Sequence, residues 1–208
     1  SHEGIKVTDI RGVAMCSVVP PLTHIFKELF EQYCHVAPLV VEAGVKTGVA
    51  IRMENPREVG TDRIVNAAAA HHLYRGSVII IDMGTATTFD TVSGDGEYLG
   101  GAVAPGINAA AEALFERAAA LPRIELVRPK KAIGTSTVTA MQSGIIFGYV
   151  GVIDGIVARI QQELEEEALV VATGGYAETL AAETSTIKKV NQQLTLVGLR
   201  LIYELNQP

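Results

Sequence analysis

The sequence predicts an α/β fold, and three observations carry that prediction. Val78, Ile79, Ile80 and Ile81 form a run of branched aliphatics, the pattern of a strand buried on both faces. Two further strand-like runs, residues 89–92 and 98–104, follow at once, separated by the hairpin signal Ser93-Gly94-Asp95-Gly96. Beyond them the pattern turns helical, with a long helix over 136–167, a strand over 168–172 and a last helix over about 194–205.

The elements before this unit are shorter. A polar entry, residues 1–9, leads to a strand over 13–19 that Pro20-Pro21 stops. Thr23 is placed to cap a helix over 24–34, with Ile25, Leu29 and Phe30 at helical spacing. A strand over 38–41, a loop punctuated by Gly44 and Gly48, and a turn at Asn55-Pro56 come next. The helix over 57–73 carries Gly60-Thr61-Asp62-Arg63 near its start and an alanine run, Ala67 to Ala70, behind it.

Within the central unit Asp82 stands where the first strand ends. Gly84 opens a turn into Thr85, Thr87 and Thr88, and Gly100-Gly101 and Pro105-Gly106 punctuate the third run. An alanine-rich helix over 108–120 ends at Leu121-Pro122. The long helix is interrupted by Gly144, Gly148, Gly151 and Gly155, a spacing that allows another helix backbone to come close. After the strand over 168–172 comes the turn Thr173-Gly174-Gly175. The last helix is expected to face the core through Leu196, Leu199, Leu201 and Ile202.

Composition narrows the function. The chain has 208 residues, 48% of them hydrophobic and 19% charged, which suits a globular protein of one or two domains. A net charge of -6 argues against nucleic acid as the main partner, because phosphate backbones call for basic surfaces. The two cysteines, Cys16 and Cys34, have no metal or redox spacing and suit a reducing cytoplasm. The long helix carries Gln142, Asp154 and Arg159, so a membrane partner is not expected. The acidic run Glu163 and Glu165 to Glu167 reads as a solvated helix end, and the pair His71-His72 as helix surface.

The residue types point to phosphate chemistry at three places. A glycine turn with amides and threonine hydroxyls can cradle an oxyanion, and a carboxylate such as Asp82 can hold a cation; a capped hairpin is the alternative. Asp62 and Arg63 near a helix start can act as base and anion clamp, or form a solvated pair. Ser136 and Thr137 stand at a helix N-terminus, which binds anions or is simply capped.

The chain resembles the type III pantothenate kinases, within the superfamily of acetate and sugar kinases, heat-shock ATPases and actin. The segments that carry the resemblance are CSVVPPLT, ENPREVGTDRIVNA, DMGTATTFD, GGAVAPGI, ALFERAAALPRIEL, IGTSTVTAMQSGIIFGYVGVIDGI, VVATGGYA and LTLVGLRLIYELN, in family order and nearly end to end.

The resemblance implies an actin-like (ribonuclease H-like) ATPase fold. Residues 76–208 would form one complete repeat and residues 1–75 the second half of a preceding one. It implies ATP-dependent phosphorylation of pantothenate, the entry step to coenzyme A. Asp62 is implied as catalytic base, and Gly60, Thr61, Asp62, Arg63 and Thr137 as pantothenate contacts, with Thr137 reaching the site from the partner of a homodimer. Gly84 and Thr85 would contact ATP phosphate, Gly174 and Gly175 its adenosine side. Asp82 would hold a monovalent cation, potassium or ammonium, and Mg²⁺ would accompany ATP. The expected location is cytoplasmic.

Three departures qualify this. Thr61 stands where the family usually has alanine, and Met53 where a substrate-contacting tyrosine is usual. The family's opening Asp-x-Gly-Asn-Thr segment is missing from the chain, which reads as the remainder of a longer protein. The competing expectation is a non-catalytic nucleotide-binding or regulatory homologue without that first phosphate loop.

Overall fold

The computed structural model describes residues 6–207. Its centre is the meander that the sequence predicts: β4 (Val78–Met83), β5 (Ala86–Val92) and β6 (Glu97–Pro105), each antiparallel to the next. β7 (Leu169–Gly174) lies parallel to β4, and β8 (Lys189–Val190) parallel to β7. β3 (Ala50–Ile51) lies parallel to β6 and completes a six-stranded sheet in the order β3-β6-β5-β4-β7-β8.

Helices cover both faces of this sheet, which is why β4 is apolar without alternation. Ile79 and Ile81 point into a cluster with Phe89, Val170 and Ala172. That cluster is closed by Ile145, Ile146 and Ile153 of α4 (Thr137–Glu163) and Leu180 of α5 (Ala177–Ala181). Val78 and Ile80 point the other way, toward Tyr98, Val171, Ala67 and Ala70 of α2 (Thr61–Leu73), and Leu194 of α6 (Leu194–Leu205). All four β4 aliphatics are fully buried, and burying each is worth roughly 1.5–3 kcal/mol.

A smaller parallel pair, β1 (Ala14–Met15) and β2 (Leu39–Val40), brackets α1 (Pro20–Leu29) and the turn of π-helix at Phe30–Cys34. α3 (Ile107–Arg117) follows β6 directly.

Several expectations are corrected. α1 starts at the two prolines rather than after them, because proline at the first helical positions costs no hydrogen bond and has its φ preset. Thr23 therefore lies inside the helix and donates to the Val19 carbonyl at 3.3 Å instead of capping. Thr61 opens α2, with Gly60 as its cap, and residues 56–58 form a separate 3-10 turn. Leu196 is 65% exposed, and the core face of α6 runs through Leu194, Gly198 and Ile202.

Within the chain, close helix packing is made by a different glycine. A methyl group at Gly144, Gly148 or Gly151 of α4 would meet nothing, whereas one at Gly198 would come within 2.1 Å of the Val65 carbonyl. The glycine that brings two helices together is on α6, against α2.

Candidate active site

The C-terminal ends of β4 and β7 lie side by side, with Asp82 opposite Thr173 and Met83 opposite Gly174. In open α/β sheets this end of the parallel strands is where ligands bind. Three connections converge there. The first is the Gly84-Thr85 turn, closed by a hydrogen bond from the Gly84 amide to the Ala86 carbonyl at 3.0 Å. The second is the start of α3, where the Gly106 amide donates to the Thr85 carbonyl at 3.2 Å. The third is the turn after β7, tied to α3 by a hydrogen bond from the Tyr176 hydroxyl to Asn108 Oδ1 at 2.8 Å.

Packing demands glycine at two of these positions. A Cβ at Gly106 would lie 2.3 Å from the Thr85 carbonyl oxygen. Gly174 has φ +94, and a Cβ there would meet the Met83 backbone at 2.7 Å. Gly84 and Gly175 are different: both are exposed, and Gly175 faces open space, so both leave room for a ligand.

The opposite wall is the first turn of α2. Asn66, fully buried, donates from Nδ2 to Asp82 Oδ2 at 2.9 Å and accepts at Oδ1 from the Thr195 hydroxyl of α6 at 2.7 Å. Asp62 lies one helical turn before Asn66, on the same face. Its Oδ1 accepts from the Arg63 amide at 2.9 Å, and a Cβ on Gly60 would come within 2.6 Å of that same oxygen. A side chain at Gly60 would therefore push the Asp62 carboxylate out of this position. The Thr61 hydroxyl is buried and has no hydrogen-bond partner.

Arg63 reaches sideways to β5. Its Nε and Nη2 both lie 2.7 Å from Asp90 Oδ1. Asp90 is fully buried and also accepts from the Tyr98 hydroxyl at 2.6 Å and from the Thr88 hydroxyl at 2.8 Å. The buried charge is therefore paired and fully hydrogen-bonded, the condition under which such a charge is tolerated.

The electrostatics follow from this arrangement. Burial pushes the Asp82 carboxyl up from its ordinary value; the Asn66 hydrogen bond opposes that shift, while Asp62 and Asp90 add to it. Burial, then the charge and hydrogen bond of Asp90, raise the Tyr98 hydroxyl far out of the physiological range. Burial and the charge of Asp62 likewise push the Cys16 thiol up. Asp62 and Asp82 thus place two carboxylates at this end of the sheet, with Asp90 buried further inside and paired to Arg63.

Of the residues singled out from sequence, Asp62 and Asp82 share one electrostatic site, with Gly60 and Arg63 against them. Gly84, Thr85, Gly174 and Gly175 border it. Thr137 does not join them: it lines a separate groove between α3 and α4, about 930 Å³, with Ala110, Leu114, Met141, Gly144 and Tyr149. Met53 lies beneath β6, where a Cβ at Gly100 would come within 2.9 Å of its sulfur. Asn66 and Asp90 were not singled out: Asn66 is a lone polar residue in an apolar run, which was an available signal, whereas Asp90 stands among threonines in its strand. Among the described residues no group of three or more His, Cys, Asp or Glu could hold a metal ion. α4 is long and apolar enough to cross a membrane by composition, yet Ile145, Ile146 and Ile153 pack it against the sheet.

Known proteins resemble this chain in fold and in sequence. The Campylobacter jejuni protein whose crystal structure is described as a conserved Baf family transcriptional activator superposes with a TM-score of 0.63. It covers 95% of this chain and 84% of its own at 20% identity, a likeness of fold. A type III pantothenate kinase of Dehalococcoides mccartyi is 58% identical over 206 residues, 99% of this chain and 78% of its own length. One of Moorella thermoacetica is 53% identical over 205 residues, 99% and 81%. The family model of type III pantothenate kinase matches residues 1–159. The chain belongs to the type III pantothenate kinase family.

Proposed function

We propose that this protein transfers the γ-phosphoryl group of ATP to the primary hydroxyl of pantothenate, the first step toward coenzyme A. The observation that carries the reading is the placement of Asp62 at the start of α2, close enough for its charge to act on Asp82, whose carboxylate lies beside the Gly84 turn, in a chain 58% identical to a type III pantothenate kinase.

In this reading Asp62 accepts the hydroxyl proton through Oδ2, the oxygen without a partner among the described residues, while the Arg63 amide holds Oδ1. Arg63 and Gly60 border the pantothenate pocket, and the hydroxyl of Thr61 lacks a partner there. Gly84 and Thr85 take the phosphates, and the open space at Gly175 takes the adenosine side. Phosphoryl transfer asks little covalent chemistry of a protein, so positioning and charge compensation do most of the work.

Asp82 fits a monovalent cation, potassium or ammonium. Asn66 holds Oδ2, leaving Oδ1 without a donor among the described residues, and the carboxylate cluster needs positive charge before phosphate can approach. A bound cation would supply that charge. The described residues hold no protein cluster for Mg²⁺, which would arrive with the nucleotide phosphates.

The same proposal extends to architecture. The strand order β6-β5-β4-β7-β8 supports reading residues 76–208 as a complete actin-like repeat, and β1, α1 and β2 support residues 1–75 as the second half of another. β3 crosses that boundary to edge the larger sheet. The apolar groove between α3 and α4 is where a second copy of the chain docks, with Thr137 on its rim so that it can enter the partner's site. The cytoplasm is the location consistent with this activity.

A direct test incubates the protein with ATP, Mg²⁺, potassium and pantothenate and follows the product by mass spectrometry. Phosphorylated pantothenate is the expected result. Nucleotide binding without product would favour the non-catalytic regulatory homologue.

A further inference from the structure

Resting on the pantothenate kinase reading, we propose that Asp90 is a positioning residue for substrate binding, acting through Arg63. Asp90 has no solvent exposure and Arg63 only 18% in its side chain, so the pair is an interior feature opening on the site at one edge. Nε and Nη2 of the guanidinium converge on the single oxygen Asp90 Oδ1. That contact uses the side-on edge; the Tyr98 hydroxyl also lies against the guanidinium, and Nη1 on the end-on edge makes no hydrogen bond among the described residues. A planar fork held along one edge presents the other in a fixed direction, which is the geometry needed to grip a carboxylate with two parallel hydrogen bonds.

The anchor is itself anchored. Tyr98 donates to Oδ1 at 2.6 Å and Thr88 to Oδ2 at 2.8 Å, so the carboxylate cannot rotate. The guanidinium carbon also stands 5.9 Å from the centre of the Tyr98 ring, which supports it from below. Tyr98 comes from β6 and Thr88 and Asp90 from β5, so the rigid sheet sets where a helix-borne arginine points. Asp90 also removes most of the net charge of Arg63. The pair therefore recognises an anion by direction more than by long-range attraction, and the substrate group it suits is the planar carboxylate at the far end of pantothenate.

Two effects compete when Asp90 loses its charge. Arg63 gains an unmatched positive charge, which attracts anions, but its fork is released to swing toward its neighbour Asp62. In a wet cleft the Coulomb gain is screened, while the lost aim costs charge-assisted hydrogen bonds, so misplacement wins.

The test is steady-state kinetics of the parent, Asp90→Asn and Tyr98→Phe, varying pantothenate and ATP separately. The expected result is a pantothenate KM raised roughly tenfold or more in Asp90→Asn and by a smaller factor in Tyr98→Phe, with the KM for ATP within about twofold. In an Arg63→Ala background, Asp90→Asn should raise the pantothenate KM no further, because the two act as one unit. A purely structural Asp90 would lower thermal stability and leave the KM values of the folded enzyme unchanged, which would overturn the proposal. If Asp90→Asn does not fold, Tyr98→Phe decides, since an unchanged pantothenate KM there also overturns it. A parent without pantothenate turnover would instead remove the functional reading and this proposal together.

Discussion

Asn66 Nδ2 donates to Asp82 Oδ2 at 2.9 Å, joining the helix that carries Asp62 to the strand that carries the candidate cation site. The amide cannot turn around, because the Asp82 carboxylate only accepts and needs Nδ2 on its side, while the Thr195 hydroxyl donates to the amide oxygen from the other side at 2.7 Å. Three elements, α2, β4 and α6, therefore fix the position of one carboxylate, and the predictions below test what that placement does.

If Asp82 holds the monovalent cation, Asp82→Ala makes activity low and independent of potassium. Rates measured across a potassium titration, with sodium holding ionic strength constant, check this. A variant that keeps the parent's potassium response would put the cation elsewhere.

The position of Asp62 can be read without any turnover. Burial and the Asp62 charge both hold the Cys16 thiol above its usual value, so at mildly alkaline pH little of it is thiolate. Asp62→Asn removes one of those two causes, lowers the thiol's pKa and leaves more thiolate at a given pH. Alkylation of the Cys16 peptide should then be faster in the variant, with its pH profile moved toward lower pH and Cys34 as internal reference. Equal rates would mean that Asp62 does not face Cys16.

Gly198→Ala should destabilise the protein by roughly 1–3 kcal/mol, the usual cost of overpacking, because the added methyl meets the Val65 backbone at 2.1 Å. Gly148→Ala on α4 meets nothing within the chain, and alanine is the better helix former, so the isolated chain should tolerate it. Thermal melts of the two variants compare these positions. Equal melting temperatures would contradict the packing of α6 on α2.

The groove lined by Thr137 carries the dimer prediction. Thr137→Arg should abolish activity alone, yet mixing it with Asp62→Asn chains should restore part of it, since one hybrid site then has both residues intact. Light scattering should show a dimer. Full activity of a monomer would remove the shared site.

What could be read from the sequence depended on how local each signal is. The β4-to-β6 meander was legible because four consecutive branched aliphatics and a nearby Ser-Gly-Asp-Gly turn are local patterns that together favour buried strands over a helix. β3 and β8 were not, since each is only two residues long and exists through its neighbour strand. The glycines of α4 were legible by their spacing, which does not say what they pack against; within the chain the close approach is made by Gly198, a single glycine that no repeat announces. Leu196 looked like core by type and proved exposed. Asp62 and Asp82 stood out through their motifs. Asp90 did not, because an acid inside Phe89 to Val92 declares its role only once Arg63, Tyr98 and Thr88 are seen around it.

The most direct test of the whole account is the rate of ATP-dependent pantothenate phosphorylation by the parent and by Asp62→Asn, measured side by side with nucleotide binding. A general base contributes about 10²–10⁴-fold. The account predicts a loss of that size in the variant with ATP affinity retained. Turnover in Asp62→Asn close to that of the parent would contradict it.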